Sequence, residues 1–278
     1  MTAIVHDDIR ANVHAMWASV ADRWGEHADY IDARGAEVTA RLLELTAPQA
    51  GDRVLELACG TGAVGIAAAK LGAEVVLSDV APEMTAIAAA RAAGLENVSA
   101  RPLDLEEIDE PDASFDVVYC REGLMFAVNP VRAARELRRV LRPGGRFALA
   151  VWGPRHRNPW LDLVFTAVSE QVGAPVPPPR IPGPFALDDA GRLADVLHAG
   201  GLGAVAVGEI AVPLRATSFD EWFTRTSAIA GPLAQRLAAL PDAARAALRD
   251  QLEAATAPYV TPDGLDIPGV ALIASGRA

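Results

Sequence analysis

An α/β fold, with a seven-stranded, mostly parallel sheet and helices on both faces, is what this sequence predicts, and three observations carry it. Short apolar runs alternate with helical stretches from residue 53 to residue 152, the pattern left by crossover helices between parallel strands. The run Arg53-Val-Leu-Glu-Leu-Ala-Cys-Gly-Thr-Gly62 passes from an apolar strand through a glycine turn into an Ala-rich helix. That order sets a helix N-terminus beyond a strand's carboxyl end, where open α/β sheets bind nucleotides. Of the 278 residues, 51% are hydrophobic, enough to bury a sizeable core.

The elements follow in order. Residues 10 to 47 read as helical, with Val13, Met16, Trp17 and Val20, then Val38, Leu42 and Leu45, at helical spacing; Gly25 is expected to break the run. Trp17 and Trp24 either pack this segment on the body or cover a ligand. Residues 48–52 turn into a first strand over 53–58, and a helix spans 63–71. A second strand, 74–79, ends in Asp79, and Pro82 suits the first turn of a helix over 82–93. A short third strand lies near 98–101 and the fourth is 115–120. The helix 130–141 is ended by Pro143-Gly144-Gly145, and strand five is 146–152. Beyond it come a helix over 158–173, a proline-rich loop over 174–184, and a helix over 188–199 stopped by Gly200-Gly201. A sixth strand near 204–212, helices within 218–256 interrupted at Gly231-Pro232 and Pro241, and a last strand over 268–276 complete the chain. No internal repeat is found. Residues 1–47 thus read as a helical segment covering the ligand site and 48–152 as the nucleotide-binding core. Residues 153–278 read as sheet completion with a helical substrate cap in the same domain.

Composition excludes several functions. A net charge of -11 argues against a nucleic-acid partner, which needs a basic face. The arginines of 132–142 share their helix with Glu136 and read as a solvated face. No uncharged apolar run is long enough to cross a membrane, and the early acids Asp7 and Asp8 give no leader pattern, so a cytoplasmic protein is expected. The one lysine, Lys70, sits on a surface helix, a poor place for Schiff-base chemistry. Cys59 and Cys120 are too few for a disulfide framework and read as small buried residues at strand ends. No His and acidic residues cluster at metal-ligand spacing, so no metal is expected.

The chemistry gathers around the glycines. Gly60-x-Gly62-x-x-Gly65 fits a dinucleotide turn and also other adenosine ligands. Asp79, at the end of strand two, stands where an acid accepts bonds from both ribose hydroxyls. Asp104, after strand three, is within reach of an adenine amino group. Glu56, four residues before Gly60, is unsuited to a pyrophosphate and suited to a cationic ligand. Glu56 and the lack of a basic pyrophosphate partner speak against a nicotinamide-dependent dehydrogenase.

At this point the sequence resembles the class I S-adenosylmethionine-dependent methyltransferases, which have a Rossmann-like fold. Val54–Gly62 resembles their first motif, Asp79 with Met84 their acidic loop after strand two, and Leu103-Asp104-Leu105 their adenine loop. Phe115–Glu122 resembles the strand-four motif, and Glu136–Arg146 the helix–turn before strand five. The resemblance is strong over about residues 40–152 and leans toward the small-molecule branch of ubiquinone, menaquinone and natural-product methyltransferases. It implies S-adenosylmethionine as cofactor and S-adenosylhomocysteine as product. By its motif positions Glu56 holds the cofactor's ammonium, and Gly60 and Gly62, with Ala58, let the backbone approach the methionine part. Asp79 takes the ribose, Val80 and Met84 flank the adenine, and Asp104 beside Leu105 bonds its amino group. Cys120 and Arg121 lie near the methionine part; arginine there departs from a neutral residue often found.

The expected reaction is methyl transfer to oxygen or carbon of a small organic acceptor, a secondary metabolite or quinone-like compound. A cofactor-binding enzyme catalysing a non-methylating step such as cyclisation keeps the same motifs. Catalysis is mostly positioning and exclusion of water. A base is needed only for an acceptor with a proton on its reacting atom; His156, His14 and Glu122 are the main candidates, with His27 and Tyr30 behind them. Tyr30, Trp24, Trp152 and Trp222 are the candidate substrate walls. Trp160, Phe185, Phe219 and Phe223 add aromatics to the cap.

Overall fold

The apolar runs of the core become strands buried on both faces, as central parallel strands require. In the computed structural model, which describes residues 2–178, 181–230, 233, 237 and 239–278, the core opens with β1 (Arg53–Glu56), α4 (Ala63–Ala69), β2 (Glu74–Asp79), α5 (Pro82–Arg91) and β3 (Val98–Pro102). It continues through β4 (Phe115–Arg121), α6 (Pro130–Val140) and β5 (Leu141–Trp152). Helices α1 (Thr2–Glu26), α2 (Ala28–Arg34) and α3 (Ala36–Thr46) precede it. After it come α7 (Pro159–Val172), α8 (Ala190–Ala199), β6 (Gly203–Ala211), β7 (Leu214–Ala216), α9 (Phe219–Ile229), α10 (Asp242–Thr256), β8 (Val260–Thr261), β9 (Gly264–Ile267) and β10 (Val270–Arg277).

Among the described residues, seven strands form one sheet in the order β3-β2-β1-β4-β5-β10-β6. β10 runs antiparallel to both of its neighbours, and the pairs from β3 to β5 are parallel. The expected α/β class and mostly parallel sheet are therefore present. The order reverses between β1 and β4, and such a switch point opens a crevice at the strands' carboxyl ends. Phe115, Val117, Val118 and Tyr119 of β4 have no solvent exposure, which fixes the register of the strand that meets β1 there.

Three expectations are corrected. The break expected at Gly25 comes two residues later, at His27 between α1 and α2; Gly25 lies in the last turn of α1, where a Cβ would sit 3.3 Å from the Ile87 side chain, so its smallness lets α1 approach α5. Strand five starts at Leu141, not residue 146. Phe115 pairs with Leu141 and Val117 with Arg146, so Pro143-Gly144-Gly145 bulges from the ladder inside the strand and does not separate helix from strand. The region after β6 also holds a second sheet, β7-β9-β8, unforeseen because its strands have only two to four residues. The expected break at Gly231-Pro232, and Pro179 and Arg180 of the proline-rich loop, lie outside the described residues.

Helix α1 builds a small core of its own. Val20 and Ala21 are buried with Ala81 and Met84 from the start of α5, and Trp17, Trp24 and Ile87 pack around them. At one end Trp24 Nε1 donates to Ile229 O of α9 at 2.9 Å. Nearer the other, Arg10 bonds Asp104 at 2.5 Å. Thus α1 lies across the crevice at the sheet's carboxyl edge, tied to α9 and to the loop after β3.

Candidate functional site

Two cavities occupy that crevice. The first is lined by Ala58, Cys59 and Gly60 of the turn after β1, Asp79, Val80 and Met84 after β2, and Leu103 to Glu106 after β3. Arg10, Val13 and His14 of α1 close it. The second is lined by Tyr30, Ile31 and Arg34 of α2, Trp152 and Trp160, and Thr226 and Ile229 of α9. Trp17, Trp24, Arg121, Glu122 and Phe126 line both.

The turn can lie against a ligand because its residues take up left-handed backbone. Gly60 has φ 52° and Gly62 φ 84°, and Ala58 shares the conformation at φ 49°; only glycine does so without strain. Gly60 N–H donates to Asp79 Oδ2 at 3.0 Å and Ala81 N–H to Asp79 Oδ1 at 3.0 Å. A carboxylate accepts about four bonds, so Asp79, which lines the cavity, has acceptor capacity beyond these two. Burial pushes the Asp79 carboxyl up, opposed by these backbone bonds. Asp104 is more committed: Oδ2 accepts from Arg10 and lies 3.3 Å from His14 Nε2, while Oδ1 accepts from Glu106 N–H at 2.8 Å.

The structure brings together Ala58, Gly60, Asp79, Val80, Met84, Asp104, Leu105, Arg121, His14 and Glu122 at the first cavity. Tyr30, Trp24 and Trp152 lie at the second. Other expected residues stand elsewhere. Glu56 is buried beneath the turn and does not line the cavity; its Oε2 accepts from Gly65 N–H, in the first turn of α4, at 2.7 Å. Burial pushes its carboxyl up to about 7 against that bond. Gly62 caps α4 behind the wall. Cys120 is buried on β4 outside the lining, its thiol pushed up by burial to about 12. His156 is exposed on a short turn, Arg155–Arg157, because Pro154 carries the chain outward after β5. Trp222 has no solvent exposure and packs on Phe219 at 5.5 Å, so it belongs to the cap's interior. His27 lines neither cavity.

Several lining residues escaped the sequence reading. Arg10 and Arg34 are single arginines in helical stretches of an arginine-rich chain, with no local signal. Phe126 follows the strand-four motif on a short helical turn, Leu124–Phe126, and its spacing from Trp17 gives no clue that their rings lie 4.9 Å apart. Among the described residues, no group of three or more His, Cys, Asp or Glu residues is placed to hold a metal ion, and no helix is long and apolar enough to cross a membrane.

Residues 55–149 match the family described as a methyltransferase domain. The matched residues run from β1 to β5 and include the glycine turn, Asp79 and Asp104. An uncharacterized protein of Mycobacterium tuberculosis is 38% identical over 141 residues, 50% of this chain and 49% of that protein. A demethylmenaquinone methyltransferase of Clavibacter sepedonicus is 41% identical over 103 residues, 37% of this chain and 42% of that protein. The chain thus spans about half or less of these relatives' length. Among solved structures, the YcgJ protein of Bacillus subtilis superposes with a TM-score of 0.58 at 22% identity, over 87% of this chain and 98% of that one, a likeness of fold.

Proposed function

We propose that the chain is an S-adenosylmethionine-dependent methyltransferase acting on oxygen or carbon of a small organic acceptor, with the cofactor in the first cavity and the acceptor in the second. The observation that carries this reading is the wall common to both cavities, Trp17, Trp24, Arg121, Glu122 and Phe126. Two ligands meeting there are the arrangement a direct transfer needs. The apolar, aromatic character of the second cavity fits a flat acceptor, and the demethylmenaquinone methyltransferase relative supports a quinone-like one. Residues 1–47 act as the cover and the α9 region as the acceptor cap.

The lining fits the cofactor. A Cβ at Gly60 would sit 3.4 Å from the Trp24 ring, so the turn leaves a slot only as deep as a bare backbone allows. Asp79 offers oxygen lone pairs to a diol, and the cavity's acids, Asp79, Asp104 and Glu122, suit a cationic ligand. When bound, S-adenosylmethionine supplies a methyl group already activated on a sulfonium. The chain's residues bind, orient and exclude water: Val80 and Met84 flank the adenine, and the tryptophans shut out solvent. For a hydroxyl acceptor Glu122 is the base. Burial pushes its carboxyl up, against the pull of Arg121 and Arg34, the direction that suits proton uptake near neutral pH. Glu122 would take the hydroxyl proton from an acceptor whose oxygen receives that methyl group.

The test is incubation with methyl-labelled S-adenosylmethionine and a panel of phenols, quinols and hydroxy acids. Label appearing in an acceptor, and lost at least tenfold in Glu122→Gln for hydroxyl acceptors, is expected. Product formed with all label retained on the cofactor would establish the non-methylating alternative instead.

A further inference from the structure

The second cavity is lined by a cation to which, among the described residues, no side chain is hydrogen-bonded. Arg34, at the end of α2, lines that cavity and not the first. Its guanidinium carbon lies 3.9 Å from the Trp160 ring centroid and 4.9 Å from that of Trp152. Its Nε and Nη2 are buried without a hydrogen-bond partner, and among the described residues it forms no ion pair. A buried N–H left unbonded is destabilising, more so when charged, and native structures leave few such groups unexplained. Burial lowers its pKa, with Tyr30 and Glu122 acting in the opposite sense. Two tryptophan faces stabilise the charge in part without accepting an N–H bond.

The surroundings hold this guanidinium in place. Trp160 Nε1 donates to Asn158 Oδ1 at 3.1 Å. Asn158 has no solvent exposure and also bonds Val270 N–H and O at 3.0 Å each, so the ring beneath Arg34 is pinned to β10. The guanidinium held there leaves Nε and Nη2, a neighbouring pair of donors, unbonded, and such a planar fork is suited to grip a carboxylate with two parallel bonds. The nearby acid, Glu122, is also drawn to Arg121 and stands at the wall between the cavities.

We propose that the acceptor is an aromatic acid, whose carboxylate is bound by Arg34 on the Trp152–Trp160 floor while its reacting atom faces Glu122 at the common wall. This rests on reading the second cavity as the acceptor site. The anion lies at the end of the acceptor remote from the cofactor, so Arg34 selects and orients without touching the transferred methyl. Methyl transfer to such an acid preserves its charge and adds only one carbon at the far end.

Calorimetry on the full chain saturated with S-adenosylhomocysteine tests this, with 4-hydroxybenzoate and 6-hydroxy-2-naphthoate as probes and their carboxamides as uncharged matches. At least one acid is expected to bind ten times or more tighter than its amide. Arg34→Met is expected to erase that difference, and Arg34→Lys, which keeps charge but not the planar fork, to retain part of it. Affinity for S-adenosylhomocysteine is the control for folding. Amides binding as tightly as acids, neither binding, or an acid preference surviving Arg34→Met would each overturn the proposal. The wild-type comparison decides it even where a variant fails to fold. Failure of S-adenosylhomocysteine itself to bind overturns the methyltransferase reading, whereas its binding without acid preference overturns only the anion anchor.

Discussion

Asp79 gathers the turn on one carboxylate. Its oxygens hold Gly60 N–H and Ala81 N–H, and the residue lines the first cavity. Asp79→Ala is expected to weaken S-adenosylhomocysteine binding by about 1–3 kcal/mol, the scale of bonds lost to a charged group; unchanged affinity in calorimetry would remove Asp79 from the site. Glu56 gives a pH signature instead. Its carboxyl is carried from 4.5 to about 7 by burial, against the bond from Gly65. Between those values the folded chain keeps a proton that the unfolded chain has released, so stability falls as pH rises from 4.5 to about 7. Glu56→Gln keeps an acceptor for Gly65 and is expected to flatten that fall, by at most about 3 kcal/mol, in urea titrations from pH 5 to 8. A slope identical to wild type would show that the proton sits elsewhere. The sequence placed the acid correctly on β1 and gave no sign of its bond from Gly65 N–H: periodicity says which strand end a side chain occupies, but not which helix N–H reaches it.

Among elements, α1 is the one whose role the sequence left most open. Val13, Trp17 and Val20 announce an amphipathic helix, yet nothing in that spacing says that Arg10 reaches the loop after β3 or that Gly25 exists for Ile87. The core strands were legible because burial on both faces writes itself as continuous apolar runs, whereas β7 to β9 are too short to carry any period. Asp104 is pushed up by burial, but bonds from His14, Glu106 N–H and Arg10 prevail and hold it at about 2. Its folded value lies below the usual 3.8, so the stability it confers on the α1 contact is complete above pH 4 and is lost as pH falls toward 2. At neutral pH α1 is therefore held down. Arg10→Ala is expected to speed amide exchange in α1 several-fold while lowering global stability by less than about 1 kcal/mol. Unaltered exchange there would mean that the tryptophan core alone anchors the helix.

At the scale of the whole molecule, the second cavity draws on Trp24, Arg34, Glu122, Trp152 and Thr226, side chains from across the chain that no local motif links. The cofactor motifs were readable because each lies at one strand end; this cavity exists only once α1, α2, β5 and α9 have packed together. That assembly has a consequence for binding. Trp17 meets Trp24 edge-on at 5.5 Å and Phe126 at 4.9 Å, and these rings line both cavities. A ligand in the first cavity restrains rings that a ligand in the second must otherwise order, so the second binds at a smaller entropic loss. Saturation with S-adenosylhomocysteine is expected to tighten an acceptor or acid probe about three- to tenfold, on the order of 1 kcal/mol of coupling. By linkage, the acceptor must tighten S-adenosylhomocysteine by the same factor. Trp17→Ala is expected to shrink both effects together, because it removes the ring that touches the other two. Calorimetric titrations in both orders measure each side of that cycle. Equal acceptor affinity with and without S-adenosylhomocysteine would show the common wall to be rigid before either ligand arrives.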